Sequence, residues 1–313
     1  VMVLVPLAGA LLLWFVPPLR GLARGVGLVF SLGALGVGIW AMALFDPGSG
    51  GTVQLAETRP WIPTLGISWA LGVNALGLAM LLLAAFLVPL VLLAGWGEIP
   101  AEHQALFTAL VLALEAFVVV IFSARDVFLF YVCFEAMLVP VYVLIGRFGG
   151  PDRQRAALKF LLYSLAGGLV MLVGVVALFF YGPRTETGYL IGSLAGSLSA
   201  PPAAARWIFA SFMIAFAIKA PLVPLHTWLP DAAEQATPGT SVLLIGVLDK
   251  IGTYGMIALV LPLFPEAAAW AAPVVLVLAV VGIIYGGLAA IGQDSLYRLI
   301  SYTSISHFGF MVL

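Results

Sequence analysis

The chain has 313 residues, of which 63% are hydrophobic and only 9% charged, against roughly 25% charged in an average soluble domain. A mean hydropathy of +1.18 and a net charge of −1, from 13 basic and 14 acidic residues, exclude a soluble globular enzyme, a disordered chain and a nucleic-acid binder with a basic surface. The single cysteine, Cys133, excludes a disulfide framework, a cysteine zinc cluster and a cysteine-ligated iron–sulfur cluster, and the chain reads as a polytopic membrane protein.

A spanning helix needs about 20 residues plus a connection, so this length holds about ten spans. In chain order the apolar runs are 1–17, 25–45, 74–96, 103–123, 126–146, 157–181, 206–229, 238–262, 270–292 and 296–313. The first run has no basic region before it and no small-residue cleavage site, so it reads as a mature span rather than a signal peptide. The connection 46–73 contains Asp46-Pro-Gly-Ser-Gly-Gly and Arg59-Pro-Trp-Ile-Pro, which are turn signals, and reads as a loop. The other long connection is 182–205. Trp61, Trp69, Trp96, Trp207, Trp228 and Trp270 fall near run ends, where interfacial anchors sit. The chain begins at Val1 and ends at Leu313 inside an apolar run, so a longer parent chain is expected.

With ten spans, connections 1–2, 3–4, 5–6, 7–8 and 9–10 share one side. That side holds seven basic residues, Arg20, Arg24, Arg147, Arg153, Arg155, Lys159 and Arg298, against four on the other, Arg59, Arg125, Arg184 and Arg206. The positive-inside rule then places the first side in the cytoplasm and the N-terminus outside. Usage rich in Ala, Gly and Arg suggests a GC-rich bacterial gene.

Four ionisable residues fall in the interior of runs: Glu115, Glu135, Lys219 and Lys250. At about 1.5 Å rise per residue each lies roughly 13–20 Å from a span end, near the midplane of a core about 30 Å thick. An isolated charge there costs roughly 2.5–3.5 kcal/mol, so four cost about 10–14 kcal/mol before pairing. Pairing Glu with Lys, or supplying water, offsets that cost. An acid and a lysine that pair or separate form a proton switch. One such pair also serves as a structural tie between helices; two Glu and two Lys at one depth point to a proton or ion path.

The seventh run is broken by its own sequence. Lys219 is followed by Pro221 and Pro224, neither of which has an N–H, so the carbonyls of Ala217 and Ala220 lose their helical partners. Non-helical backbone at membrane depth survives only where protein or water satisfies it, and broken helices mark ion sites in transporters. A simple proline kink is the plainer alternative. His226, seven residues after Lys219, shares its face if the helix resumes. His226 and His307 are candidate proton relays, since histidine titrates near neutrality. Asp249 precedes Lys250 but points about 100° away on a helix; it pairs elsewhere or partly neutralises Lys250. Lys159 either stays at the interface or leans inward. His103, at an interface, has no role that its position suggests. Gly282-x-x-x-Gly286 fits close helix packing. No phosphate-binding loop, dinucleotide fingerprint, metalloprotease motif or haem attachment motif is present.

Four stretches carry a family resemblance: Arg125 to Gly149, containing Phe134-Glu-Ala-Met-Leu-Val-Pro140; Phe216-Ala-Ile-Lys-Ala-Pro-Leu-Val-Pro-Leu-His-Thr-Trp-Leu-Pro-Asp231; Gly246-Val-Leu-Asp-Lys-Ile-Gly-Thr-Tyr-Gly255; and Arg298-Leu-Ile-Ser-Tyr-Thr-Ser-Ile-Ser-His-Phe-Gly309. From about residue 60 to its end the chain resembles the antiporter-like membrane subunits of proton-pumping NADH–quinone oxidoreductase, respiratory complex I. The likeness is to the M-chain type, similar to the mitochondrial subunit 4. It implies an all-α polytopic transmembrane bundle with a proline-broken span seven. About ten spans would be present of about fourteen in the family, at about 20 residues each. It divides the chain into an N-terminal part, 1–100, with spans 1–3 and an external loop at 46–73. A first antiporter-like five-helix repeat, spans 4–8, follows at 101–265, and the start of a second repeat at 266–313.

By the same resemblance Glu135 is the key acid of span five, Lys219 the lysine of the broken helix and Lys250 the lysine that passes the proton onward. Glu115 and His226 match polar positions on the central axis, and His307 one in span ten. The resemblance implies an entrance half-channel and central lysine without the exit half. It implies no cofactor in this chain, with flavin, iron–sulfur clusters and quinone in partner subunits. The partners it implies are the other membrane and peripheral subunits of complex I, adjacent antiporter-like chains and the lipid bilayer, in a bacterial inner membrane. Asn74, Tyr297 and Ala258 depart from the family pattern, which usually has an Asp-Gly pair, a lysine and an arginine there. Two rival functions are a subunit of a multi-subunit cation/proton antiporter or membrane hydrogenase, and an inactive structural membrane subunit.

Overall fold

The computed structural model describes residues 1–313. The chain is a multi-span membrane protein built almost wholly of helices: α1 (Leu4–Phe15), α2 (Ala23–Leu44), α3 (Ala75–Ala94), α4 (Ala101–Ser123), α5 (Val127–Ala136), α6 (Leu138–Phe148), α7 (Arg153–Tyr181), α8 (Ile191–Ser197), α9 (Pro202–Lys219), α10 (Trp228–Gln235), α11 (Pro238–Leu263), α12 (Pro265–Ile291) and α13 (Leu296–Val312). Eight segments are long and apolar enough to cross a membrane, with α5 and α6 counted as one. The first and last apolar runs form helices of only 12 and 17 residues.

Burial orders the bundle. In α4, 78% of the apolar stretch is buried inside the chain, against 22% in α2 and in α12. Helix α4 is therefore a central post, and α2 and α12 present apolar faces outward, as a lipid-facing helix does.

Two features depart from the sequence expectation. The connection 46–73 is not only loop: it forms an antiparallel hairpin, β1 (Gln54–Ile62) and β2 (Ile67–Val73). Its turn closes at Gly66, whose φ of +71° suits a residue without Cβ. Strand β1 is exposed and β2 buried, so the alternation that marks a half-buried strand is missing. The second departure is in span five, which kinks at Met137 between α5 and α6 while the Met137 N–H still donates to the Cys133 carbonyl (3.0 Å). Pro140 has no N–H for the carbonyl of Ala136, which places the kink two residues after Glu135.

The hairpin stitches three connections together. The Arg125 N–H donates to the Ala70 carbonyl (2.8 Å), and the Tyr189 N–H to that of Gly66 (3.1 Å). Asp126, fully buried, caps α5: its carboxylate accepts the N–H groups of Phe128, Leu129 and Ser68. Asn74 caps α3 by accepting the Gly77 N–H (2.8 Å), so this departure from the family pattern keeps the cap.

Candidate functional site

Helix α9 ends at Lys219, and helix does not resume until Trp228. The freed carbonyls find new donors. The Leu222 N–H donates to the Ala217 carbonyl (2.9 Å), skipping Pro221. The indole N–H of Trp228 donates to the Ile218 carbonyl (2.8 Å). Trp228 is fully buried against Phe160, so it is a brace for the break and not the interfacial anchor that its place near a run end suggests.

Lys219 is 1% exposed, and its Nζ has no hydrogen-bond partner in the protein. It lies 5.2 Å from the ring centroid of Phe160 and 5.7 Å from that of Phe134, within cation–π range. Glu135 Oε1 and both carboxylate oxygens of Asp249 are likewise buried without partners. None of the four ion pairs within 4.0 Å in the chain involves these groups. Lys219 Nζ lies beside Phe134, the neighbour of Glu135 in α5, and the contact of Gly252 with Phe216 and Ala220 sets the Asp249 turn of α11 against the end of α9. Asp249 and Lys250 are consecutive on α11. The four groups therefore form a row, Glu135, Lys219, Asp249, Lys250, alternating in sign. Lys219 Nζ, Glu135 Oε1 and both Asp249 oxygens have no protein partner, which is the condition under which water bridges buried groups.

Small residues and irregular helix make room for the row. A Cβ on Gly168 of α7 would collide with the Glu135 carboxylate. A Cβ on Gly252 would meet the Ala220 nitrogen and the Phe216 carbonyl at 2.6 Å, so α11 lies backbone to backbone against the end of α9. Within α11, Leu244–Leu248 is π-helical, and the Asp249 N–H reaches the Leu244 carbonyl five residues back (3.1 Å). Such bulges recur at functional sites. The same widening leaves the Ile245 carbonyl to accept the Lys250 ammonium (3.1 Å). Asp249 thus does more than neutralise its neighbour: it faces Lys219 across the α9–α11 contact.

His226 is not on the Lys219 face of a resumed helix, because no helix resumes there. It is buried, both ring nitrogens are unpartnered, and its ring lies 4.9 Å from that of Tyr285 and 6.5 Å from that of Tyr302. Lys159 leans to the other end of the break, donating to the Thr227 carbonyl and to Asp231, each at 2.7 Å. Asp231 also pairs with Arg298 (3.1 Å), which reaches Glu234 (3.1 Å). Together with Asp152 and Arg155 these side chains line a cavity of about 240 Å³. It joins connections 5–6, 7–8 and 9–10 at one end of the bundle. Burial acts to raise the Asp231 carboxyl, but the hydrogen bonds and charges of Lys159 and Arg298 outweigh it and hold that group below the usual carboxylate range. Asp231, Glu234 and Trp228 are not candidates by sequence; their partners are up to 72 residues away.

Glu115 is 1% exposed, with both oxygens unpartnered, and faces Ala84 and Val88 of α3 and Leu243, Val247 and Leu248 of α11. It stands apart from the row. His307 is exposed on α13 and is not brought to the other candidates.

A family model described as NADH:quinone oxidoreductase/Mrp antiporter, transmembrane, matches residues 124–313. The chain is 44% identical over 345 aligned positions to NADH-quinone oxidoreductase subunit M of Mycobacterium tuberculosis, covering 99% of this chain and 62% of that protein. It is 38% identical to NAD(P)H-quinone oxidoreductase chain 4 2 of Thermosynechococcus vestitus, covering 100% of this chain and 58% of that protein. The chain thus spans about three fifths of the length of these curated relatives. A chain of respiratory complex I from Thermus thermophilus superposes with a TM-score of 0.83 at 32% identity, over 98% of this chain and 62% of that one. The Mrp complex from Dietzia shares the fold, with a TM-score of 0.84 at 20% identity, over 99% of this chain and 33% of that one. A family model that matches more than half of the chain shows that the chain belongs to the NADH:quinone oxidoreductase/Mrp antiporter transmembrane family.

Proposed function

We propose that the chain is a proton-translocating membrane subunit of an NADH–quinone oxidoreductase, driven by quinone reduction elsewhere in the complex. The observation that carries this is the row of alternating acids and lysines against a broken helix, with Lys219 and Asp249 fully buried and Glu135 and Lys250 half-buried. In the mechanism, a proton resides on Lys219 at the break. Glu135 holds it there when near and releases it when farther away, because a nearby carboxylate favours the charged ammonium. Lys250 then accepts the charge. Moving one charge against 100 mV requires about 2.3 kcal/mol, and each tenfold change in proton affinity supplies about 1.4 kcal/mol, so a change of a few powers of ten gates the step.

The chain carries no redox motif, so its partners are the other membrane and peripheral subunits, adjacent antiporter-like chains among them. Flavin, iron–sulfur clusters and quinone belong in those partners. We place it in a bacterial plasma membrane with the N-terminus outside, on the seven-to-four distribution of basic residues. Glu115, His226, His307, Asp249 and Lys159 are secondary positions in this scheme. The shared fold with the Mrp complex favours one second reading, a cation/proton antiporter subunit; redox-independent sodium exchange by the assembled complex would support it. The test of the first is Glu135→Gln in the full-length subunit. It abolishes pumping while the complex assembles, and full pumping in that variant defeats the mechanism.

A further inference from the structure

Resting on the proton-path reading above, we infer that Asp249 is the relay that carries the proton between Lys219 and Lys250. Four observations converge on it. Asp249 is fully buried, which is rare for an aspartate unless paired. Neither of its carboxylate oxygens has a hydrogen-bond partner in the protein. The π-helical turn Leu244–Leu248 widens the helix just before it. Finally, the backbone contact of Gly252 with Phe216 and Ala220 brings the Asp249 turn of α11 against the last turn of α9, where Lys219 stands.

A structural aspartate at such a place would bond to the Lys250 ammonium or to a backbone N–H. Here the Lys250 ammonium is engaged by the Ile245 carbonyl instead, and no ion pair closes on Asp249. The carboxylate is held between two lysines and committed to neither. The step balances as two proton transfers. An N–H bond of the Lys219 ammonium breaks and an O–H bond forms on Asp249, directly or through one water. That O–H then breaks and an N–H forms on a neutral Lys250. Lys219 ends neutral, Lys250 ends charged, Asp249 returns to carboxylate and one proton has moved. Without the aspartate, the proton passes between two lysines with no acceptor between them, and burial with no anion nearby disfavours the charged ammonium at either end.

The experiment is NADH-driven proton uptake in membrane vesicles carrying the assembled complex with Asp249→Asn, Asp249→Glu or Lys219→Ala in the full-length subunit. Complexes are counted on native gels. Asp249→Asn keeps the shape and removes the titrating group; uptake per complex is expected to fall at least about tenfold, equivalent to about 1.4 kcal/mol on one transfer. Asp249→Glu restores the carboxylate and is expected to recover at least half of the uptake, which a purely structural role would not require. If Asp249→Asn does not assemble, Asp249→Ser, which leaves room for water, is measured in its place with the same expectation. Wild-type uptake in Asp249→Asn or Asp249→Ser, with Lys219→Ala inactive, overturns the relay and leaves the proton path standing. Failure of Asp249→Glu to recover uptake also overturns it. Wild-type uptake in Lys219→Ala overturns the path itself.

Discussion

Glycine 168 offers a way to move Glu135 without altering any titrating group. Its ideal Cβ would collide with the Glu135 carboxylate, the far end of a flexible side chain and the part that can yield. Ala is favoured over Gly inside a helix by about 0.5–1 kcal/mol, so Gly168→Ala in α7 leaves stability equal or higher. A displacement that takes the carboxylate away from Lys219 weakens their pairing. At an effective dielectric of about 20, moving a charge from about 5 to about 8 Å from its partner weakens the attraction by about 1.2 kcal/mol. That is about eightfold in the proton equilibrium of the pair, at about 1.4 kcal/mol for each tenfold. The assay is proton uptake against quinone reduction in vesicles, as a function of pH. Gly36→Ala in α2, where an added Cβ meets nothing within 4 Å, controls for the helix effect. We expect Gly168→Ala to lower uptake several-fold and to shift its pH profile, with Gly36→Ala unchanged. Identical profiles for wild type and Gly168→Ala would refute the role given to the Glu135–Lys219 separation.

Two further outcomes follow from the break and the charged cluster. Trp228→Phe keeps the packing against Phe160 but leaves the Ile218 carbonyl unpaired, at a cost of about 1–3 kcal/mol; the midpoint of thermal inactivation falls, and an unchanged midpoint contradicts the brace. Asp231 is held below the usual carboxylate range by Lys159 and Arg298, so its stabilisation is complete above an unfolded value of about 3.9 and is lost as pH falls through the folded one. Wild type therefore loses stability more steeply than Asp231→Asn on acidification below about pH 4, and parallel pH curves count against the tie.

The spans were legible because about 20 apolar residues in a row have few other uses, and α3, α4, α7, α11 and α12 lie within several residues of their apolar runs. Lys219 with Pro221 and Pro224 announced the break, since proline acts locally. The kink after Glu135 had a similar signal in Pro140, masked because the run 126–146 is long enough for one span. The hairpin was hidden for a different reason: β2 is buried on both faces and runs directly into α3, so its apolar residues read as part of a connection before a span. Trp228 was misread because position in a run does not distinguish a membrane interface from the buried end of a broken helix. The Lys159–Asp231–Arg298 cluster joins elements 67–72 residues apart, and no local pattern encodes that. The facing of Asp249 toward Lys219 depends on a π-helical turn, which changes the phase of the side chains from that of a regular helix.

The most direct test of the central claim is NADH-driven proton uptake in vesicles carrying Lys219→Ala in the full-length subunit within the assembled complex. Lys219 is the buried lysine that stands between Glu135 and the Asp249 turn of α11. Its removal is predicted to lower quinone reduction and proton uptake together. Persistence of both would contradict the account, and the chain would then be scaffold or its proton route would avoid the broken helix.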